Sequence, residues 1–320
     1  MGFMNKLYIG GEWREASDGG TFEVLNPADE SVITTVSSGT TDDAVACINA
    51  ADAAFDGWAA LSPRERGEIL RKAYELFIKQ IDDIAQLITL ENGKAGGDAI
   101  GEARYAAEFF RWYAEEAVRS DGHLGMAPAT GARILVHQKP AGISVLVTPW
   151  NYPAAMGTRK IGPALAAGCP VIVKPASETP LTMLALMPIL SEAGVPPGVV
   201  NILPSRSSGA VVSKMLSDPR VRVVSFTGST EVGRKLLHAA ADNIVKPAME
   251  LGGNAPFIVC KDADIEAAAD GLMVAKMRNL GEACTAANRI YVHESIKDKF
   301  IAIFSRSEEH TSELQSPLDI

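Results

Sequence analysis

Apolar residues recur every three or four positions between residues 41 and 118, a pattern typical of amphipathic helices. Thr41-Asp42-Asp43 predicts the start of one helix that runs to about Trp58, and Ser62-Pro63-Arg64-Glu65 is a capping box with proline at the first helical position. The helix that follows carries apolar residues at helical spacing, which we expect to pack in a core: Ile69, Leu70, Ala73, Leu76, Phe77, Ile81, Ile84 and Leu87.

A further helix is predicted from Ala99 to Val118 and carries an aromatic stripe. The stripe consists of Tyr105, Phe109, Trp112 and Tyr113, and we expect it to be core packing and not a platform for a cofactor. Residues 7–36 precede the helices. Their short apolar segments are separated by glycine pairs, which predicts short strands joined by turns.

From residue 122 onward the pattern changes to short apolar runs. Residues 122–131 are predicted to be a loop, and the alternation from Ala132 to Gln138 predicts a strand that forms a hairpin with residues 142–148. Further strands are predicted at residues 144–147, 171–174, 199–203 and 221–226, with helices that start near Pro153, Thr179, Ser208 and Thr230. Such strand–helix alternation predicts an α/β fold with a Rossmann-like parallel sheet and helices on both faces. Ligands bind at the carboxyl ends of such strands.

Composition excludes several classes of protein. The chain has 320 residues, 47% hydrophobic and 22% charged, which is enough for two globular domains. Its net charge of -9 without a Lys/Arg stripe argues against a nucleic-acid surface. No apolar run is long enough for a bilayer and no secretory signal is apparent, so we expect a cytoplasmic protein with no membrane partner. The four cysteines lack metal-ligand spacing, so no metal site is expected.

One of those cysteines stands among small residues. Cys284 lies in the segment Gly281-Glu282-Ala283-Cys284-Thr285-Ala286-Ala287, 34 positions after Glu250. Small neighbours allow a substrate and a cofactor to approach the sulfur, and a carboxylate that folds back could activate water. A lone cysteine is more often a buried structural thiol. The other motifs in the chain favour a nucleophile and its base.

Five motifs occur in order along the chain: Thr148-Pro149-Trp150-Asn151-Tyr152-Pro153, Lys174-Pro175-Ala176-Ser177, Phe226-Thr227-Gly228-Ser229-Thr230-Glu231-Val232-Gly233, the Glu250 segment and the Cys284 segment. Together they resemble the NAD(P)-dependent aldehyde dehydrogenase superfamily. Thr158-Arg159-Lys160 and Lys276-Met277-Arg278-Asn279 are similar to its succinate-semialdehyde branch. The resemblance covers roughly residues 7–304. It implies a cofactor-binding domain over residues 1–251, with a β-hairpin arm for oligomerisation at about 122–142, and the start of an α/β catalytic domain over residues 252–304.

The resemblance also implies roles for catalytic and substrate-binding residues. Cys284 would attack the aldehyde carbon, and Asn151 would donate to the resulting oxyanion together with the Cys284 backbone N–H. Glu250 would be the general base, and its apolar neighbours Leu251 and Ala255-Pro256-Phe257 lead us to expect a partly buried position. Arg159 and Arg278 would hold the distal carboxylate of the substrate, because guanidinium groups bind carboxylates bidentately.

The cofactor site implied by the resemblance lacks the usual Gly-x-Gly-x-x-Gly turn, and the Gly228–Gly233 segment takes its place. The expected cofactor-contacting residues are Thr148, Pro149, Trp150, Lys160, Lys174, Ser177, Phe226, Thr227, Gly228, Ser229, Gly233 and Leu251. Relatives that prefer NAD commonly carry glutamate at the Ser177 position. A small hydroxyl there, with Lys174 nearby, predicts that NADP is accepted and preferred, while NAD remains possible.

The chain departs from the family pattern in three places. Glu282 replaces a glutamine, and Ala286 replaces a second cysteine found in many relatives. Residues 305–320 are polar and aperiodic, so we expect an unrelated, disordered tail that arose from a frameshift or an assembly artefact. We therefore expect this chain to turn over substrate weakly and to form the family's homo-oligomer poorly.

The sequence is compatible with three functions: oxidation of succinate semialdehyde, oxidation of another aldehyde such as glutarate semialdehyde or an uncharged one, and non-catalytic nucleotide binding.

Overall fold

The computed structural model describes residues 3–314, and its centre is a seven-stranded sheet. The strands in spatial order are β11 (Lys246–Leu251), β10 (Val221–Gly228), β7 (Ile143–Val147), β8 (Val171–Lys174), β9 (Val200–Ile202), β1 (Leu7–Ile9) and β2 (Glu12–Arg14). The first five run parallel, and β1 and β2 add an antiparallel edge. The predicted Rossmann-like parallel sheet is confirmed.

Helices cover both faces of this sheet, as predicted. On one face lie α1 (Thr41–Ala60), α7 (Ser208–Leu216) and α8 (Thr230–Ala241), and on the other α2 (Pro63–Lys79), α3 (Ile81–Asn92), α4 (Gly96–Glu116), α5 (Ala155–Ala166) and α6 (Leu181–Ala193). Successive strand residues point to opposite faces. Val145 and Ile172 therefore join the first core, whereas Leu146 and Val173 join the second.

The second capping box is as predicted, whereas α1 is capped by Thr40 and not by Thr41, which is its first helical residue. Thr40 accepts hydrogen bonds from the backbone of Asp42 and Asp43, and Ser62 and Glu65 form the predicted capping box. The single apolar series from residue 69 to 87 is split into α2 and α3, because the chain leaves helical geometry at Gln80.

The prediction that the aromatic stripe of α4 is core is wrong for two of its members. Tyr105 is 46% exposed and Trp112 is 60% exposed. The face of α4 that is buried consists mainly of small residues: Ala99, Ala103, Ala106, Ala107, Phe110 and Ala114. Alanines allow α4 to approach α5 closely, and the large aromatic rings are therefore directed to the sides.

The predicted hairpin arm exists, but its strands differ from those expected. β5 (His123–Met126) pairs antiparallel with β6 (Arg133–Val136), whereas β7 belongs to the central sheet between β10 and β8. The loop predicted over residues 122–131 therefore contains a strand. Gly125 interrupts its apolar pattern, which is why the sequence did not reveal it. A second hairpin joins β3 (Thr21–Leu25) and β4 (Val32–Ser37).

Residues 255–314 form a smaller α/β unit. Its strands β12 (Ala255–Val259) and β13 (Ala287–Val292) pair in parallel and are linked through α9 (Ile265–Met277), and α10 (Lys297–Leu314) follows. Its core includes Val259, Ala269, Leu272, Phe300 and Ile303. Among residues 3–314, no helix combines the length and apolarity that crossing a bilayer requires.

The expectation of disorder from residue 305 is wrong for residues 305–314, which continue α10. That stretch contains neither proline nor glycine, and adding residues to an existing helix is far easier than nucleating one. Residues 315–320 lie outside the described part of the chain.

Candidate active site

The candidate site lies at the carboxyl ends of the parallel strands. The backbone N–H of Thr148 donates to the carbonyl of Lys174 at 3.2 Å, which ties the end of β7 to the end of β8. The loop after β7 carries Pro149, Trp150 and Asn151 and leads into α5. Thr148 is buried and Trp150 is exposed, so this loop faces both the sheet and the opening.

A cavity of about 490 Å³ lies beside this loop. It brings together five of the predicted residues: Cys284, Asn151, Arg159, Arg278 and Thr227, the last of these from β10. Cys284 is exposed, unlike the buried Cys47 and Cys169, so a buried structural role for its thiol is excluded. A small molecule entering this cavity can reach the sulfur.

Asn151 connects the β7 loop to the nucleophile segment. Its side-chain Nδ2 donates to the carbonyl of Glu282 at 2.6 Å. A side-chain amide carries two N–H donors, and this bond uses one of them. The other can serve an oxygen in the cavity. The side chain of Glu282 is half-buried, and burial raises the pKa of its carboxyl group.

Two guanidinium groups line the same cavity. Arg159 lies on α5 and Arg278 follows α9, and both are exposed. The Tyr152 hydroxyl is near Arg278: burial raises the pKa of Tyr152, and the guanidinium opposes that shift. The cavity therefore has a positively charged part suited to a carboxylate.

The prediction that Glu250 is partly buried is wrong. Its side chain is 56% exposed, and its Oε1 lies 4.0 Å from Nη2 of Arg159. The apolar neighbours that motivated the prediction do not cover it, because Leu251 is itself 37% exposed. Glu250 is not among the described residues that line the cavity. Its contact with Arg159, which does line the cavity, places it next to that lining.

Two buried lysines lie near the strand ends. Lys160 donates from Nζ to Oγ of Ser225 at 2.8 Å, and burial lowers the pKa of Lys160 to about 8. Burial likewise lowers the pKa of Lys174, at the end of β8, to about 8, and the carboxylate of Glu178 opposes that shift. Ser177 follows in the same loop and is half-buried.

The turn from β10 to α8 has the geometry of an anion site. Ser229 caps α8 by accepting a hydrogen bond from the Val232 N–H at 3.3 Å, and the helix begins with free backbone N–H groups. Gly233 packs closely against Leu251: a Cβ there would lie 2.8 Å from Cδ2 of Leu251, so that side chain would have to shift. Phe226 is buried beneath the Gly228 turn.

This part of the site fits a dinucleotide. The hydroxyl of Thr227 is buried and has no hydrogen-bond partner, and it lies between the β10–α8 turn and the Cys284 cavity. The donor set combines two buried lysines with a helix N-terminus, which suits phosphate and ribose groups.

Several cavity residues were not found from the sequence. Asp98, Gly101 and Tyr105 come from α4, and Asn279 comes from the turn before Cys284. The alanines of α4 mark the buried face of that helix. They were the available signal that Tyr105 lies on the other, more exposed face. Asn279 has a φ of 56°, an unusual backbone geometry that no sequence pattern revealed.

The comparisons with known proteins agree with this geometry. The profile of the aldehyde dehydrogenase family matches residues 13–319. The chain belongs to this family.

Individual relatives are also similar over most of the chain. It is 49% identical to a succinate-semialdehyde dehydrogenase of Paenarthrobacter nicotinovorans, over 86% of this chain and 61% of that protein. It is 46% identical to a glutarate-semialdehyde dehydrogenase of Pseudomonas putida, over 93% of this chain and 62% of that protein. The crystal structure of an E. coli NADP-dependent enzyme superposes with a TM-score of 0.93 at 44% identity, covering 95% of this chain and 63% of that one. The chain thus spans less than two thirds of the length of these relatives.

Proposed function

We propose that this protein takes part in the NAD(P)-dependent oxidation of succinate semialdehyde to succinate. The observation that carries the proposal is that four groups share one cavity: the exposed thiol of Cys284, the Asn151 amide and the guanidinium groups of Arg159 and Arg278. A nucleophile, an oxyanion donor and a carboxylate-binding pair are the groups that this reaction requires.

The reaction begins with attack of the Cys284 sulfur on the aldehyde carbon. The new C–S bond places a negative charge on the former carbonyl oxygen, and the Asn151 amide stabilises that charge together with the Cys284 backbone N–H. NAD(P)⁺, when bound, would supply the hydride acceptor, and loss of that hydride from the former aldehyde carbon leaves a thioester on Cys284. Water then breaks the C–S bond, and Glu250 is the proposed acceptor of the water proton. Aldehyde, NAD(P)⁺ and water thus give carboxylate, NAD(P)H and two protons.

The proposed base must move before it can act. Glu250 lies against Arg159 and outside the cavity lining in this structure. A substrate carboxylate that binds Arg159 competes with Glu250 for the same guanidinium. Binding of substrate would therefore release the carboxylate that the second step needs.

NADP is the proposed cofactor. This choice is supported by the small Ser177 side chain, by the nearby cation of Lys174 and by the likeness to the E. coli NADP-dependent enzyme. NAD would bind through the same pyrophosphate and ribose contacts but would gain nothing from Lys174.

A single-turnover experiment tests the proposal on the 320-residue protein. The protein is mixed with NADP⁺ and succinate semialdehyde, NADPH is followed by absorbance, and the Cys284 adduct is identified by mass spectrometry. We expect one NADPH per reactive thiol, and none from Cys284→Ala. Cofactor binding with neither NADPH nor adduct would instead favour the nucleotide-binding function.

The arginines are tested with a matched pair of substrates. Arg159→Gln and Arg278→Gln should slow the reaction of succinate semialdehyde about tenfold or more, because each loses a charge-assisted hydrogen bond. Butanal has the same chain length without the carboxylate, so Arg278→Gln should change its rate little. Arg159→Gln also frees Glu250 and should not slow the butanal reaction. Equal losses with both substrates would show that the arginines do not bind the carboxylate.

Glutarate semialdehyde is the second candidate substrate. The relative from Pseudomonas putida that bears this name is nearly as similar to the chain as the succinate-semialdehyde dehydrogenase is. One additional methylene moves the carboxylate by roughly one carbon–carbon bond. The ratio of kcat/KM for the two semialdehydes decides between them.

A further inference from the structure

The loop that carries Asn151 is held by buried side chains that take no part in the proposed chemistry. Asn92 donates from Nδ2 to the carbonyl of Trp150 at 3.1 Å, and Lys94 donates from Nζ to the carbonyl of Asn151 at 3.0 Å. Glu102 accepts hydrogen bonds from the backbone N–H groups of Ala154 and Ala155 at 2.9 and 3.2 Å. Contacts therefore fix the loop at both ends.

Lys94 and Glu102 form a buried ion pair. Lys94 is 1% exposed and Glu102 is 3% exposed, and Nζ of Lys94 donates to Oε2 of Glu102. The ammonium group also lies 4.2 Å above the ring of Tyr152. Desolvating two charges is costly, and well-packed apolar residues often stabilise a fold as well or better. Stability alone does not explain why this pair occupies the core beside the loop.

Each contact of the pair fixes a different part of the loop. Helix α5 begins after Ala154, whose side chain cannot cap it, and Glu102 supplies the missing acceptor from another helix. A carboxylate at that position is also favoured by the partial positive charge at a helix N-terminus. Glu102 thereby fixes where α5 starts, and Lys94 fixes Asn151, which lies four positions before the first residue of that helix.

The peptide group of Asn151 is held twice. Its carbonyl accepts hydrogen bonds from Lys94 and also from Nδ2 of Asn279, again at 3.0 Å. Two donors on one carbonyl fix the orientation of the peptide plane, and the direction of the Asn151 side chain follows from that orientation. The side chain then reaches the nucleophile segment at the Glu282 carbonyl.

We propose that Lys94 and Glu102 are positioning residues, which hold the Asn151 amide where it stabilises the oxyanion formed when Cys284 attacks a carbonyl. This inference rests on the proposed function, in which Cys284 is the nucleophile and Asn151 a donor. Neither side chain has a chemical role in that function: Glu102 contributes to the cavity lining, but its carboxylate is bonded to Lys94 and to the start of α5.

Two reactions of the same thiol isolate this effect. In acylation by p-nitrophenyl acetate, the thiolate attacks the ester carbonyl, an oxyanion forms, and nitrophenolate leaves. In alkylation by iodoacetamide, the thiolate displaces iodide and no oxyanion forms. The ratio of the two rates at Cys284 therefore reports oxyanion stabilisation and cancels changes in thiol exposure. A Cys260→Ser background removes the other exposed thiol.

The variants are Lys94→Met and Glu102→Gln, with Arg66→Met as a matched control. Arg66 is a buried cation that donates to the carbonyl of Ala166, at the far end of α5. We expect the ratio of acylation to alkylation to fall about tenfold to a hundredfold in the first two variants, because small displacements of a catalytic group have effects of that size. Arg66→Met should lower the melting temperature and leave the ratio unchanged.

Asn151→Ala separates this inference from the proposed function. If Asn151→Ala leaves the ratio unchanged, Asn151 is not an oxyanion donor and the proposed function fails at that point. If Asn151→Ala lowers the ratio while Lys94→Met and Glu102→Gln do not, the positioning role is refuted. Lys94→Met added to Asn151→Ala should lower the ratio no further, and an additional decrease would also overturn the inference. Should Lys94→Met fail to fold, Glu102→Gln decides, because glutamine keeps an acceptor oxygen for the α5 amides.

Discussion

Nδ2 of Asn151 lies 2.6 Å from the carbonyl oxygen of Glu282 and donates a hydrogen bond to it. The two residues are 131 positions apart in sequence, and the bond joins the loop after β7 to the segment that carries Cys284. The nucleophile segment is thereby tied to the larger domain by a side chain that is also proposed to act on the substrate.

This bond predicts a local change in dynamics in Asn151→Ala. One lost hydrogen bond corresponds to about 1 kcal/mol, so backbone amides near Glu282 should exchange with solvent about fivefold faster. Hydrogen–deuterium exchange with mass spectrometry measures this directly. Peptides from β12 provide the internal control and should be unaffected. Unchanged exchange near Glu282 would show that the bond does not restrain the segment.

Lys174 predicts how cofactor preference depends on pH. Its pKa is lowered to about 8 by burial, so its cation is lost as pH rises through about 8. The 2′-phosphate of NADP⁺ keeps its charge there, because such phosphates lose their second proton near about pH 6. NADP⁺ should therefore bind progressively more weakly relative to NAD⁺ above about pH 8, by up to about tenfold per pH unit. Titrations of both cofactors at a series of pH values measure the ratio.

Lys174→Met is the matched variant for that experiment. In this variant the affinity for NADP⁺ relative to NAD⁺ should be lower at neutral pH than in the unmodified protein. It should stay constant across the pH series, since methionine cannot ionise. A pH-dependent ratio that persists in Lys174→Met would assign the effect to another group.

Glu91 predicts how the stability of the fold depends on pH. Its buried carboxylate accepts N–H groups of Leu181 and Thr182 at 2.7 and 2.8 Å, and burial raises its pKa to about 7. The folded protein thus binds this proton more tightly than the unfolded chain does. The stability contributed by Glu91 is fully present below the unfolded pKa, near about 4.5, and is lost as pH rises through about 7.

Comparison with Glu91→Gln isolates this contribution. Glutamine cannot ionise, so the free energy of unfolding of the unmodified protein relative to the variant should decrease by up to about 3 kcal/mol between about pH 5 and about pH 8. Urea unfolding of both proteins measures the difference. Glu75→Gln, which removes an exposed carboxylate from α2, is the control for the loss of one carboxylate. A constant difference for Glu91→Gln would mean that the carboxyl group titrates normally.

The central sheet could be predicted from sequence because its strands are covered on both faces. Val171-Ile172-Val173 is a continuous apolar run, as expected of a buried parallel strand. The positions that bring loops to the strand ends followed from the same pattern. The grouping of Asn151 with Cys284 came instead from the resemblance of the motifs to the aldehyde dehydrogenase family.

The failures have a common physical origin in contacts between distant segments. The exposure of Glu250 depends on what packs over it, and its sequence neighbours carry no such information. The orientation of Tyr105 depends on which face of α4 meets α5. Lys94 and Glu102 lie eight positions apart, across the α3–α4 loop, and their meeting is set by that loop.

The hairpin of β5 and β6 predicts self-association. Leu124 and Leu135 are cross-strand partners that are 69% and 64% exposed, and Met126 beside them is 64% exposed. Contiguous apolar residues on a protruding hairpin mark an interaction surface, and we expect a second copy of the chain to cover it. Leu135→Asp should place an unpaired charge in that contact and raise the dissociation constant of the assembly at least about tenfold.

Sedimentation velocity over a range of protein concentrations measures that constant. Ile244→Asp is the control, because Ile244 is 88% exposed and far from the hairpin in sequence, and its φ of 52° is one that aspartate tolerates better than isoleucine. The control should associate like the unmodified protein. If the unmodified protein is monomeric at every concentration, the hairpin does not mediate self-association in this chain. If Leu135→Asp associates normally, the contact lies elsewhere on the surface.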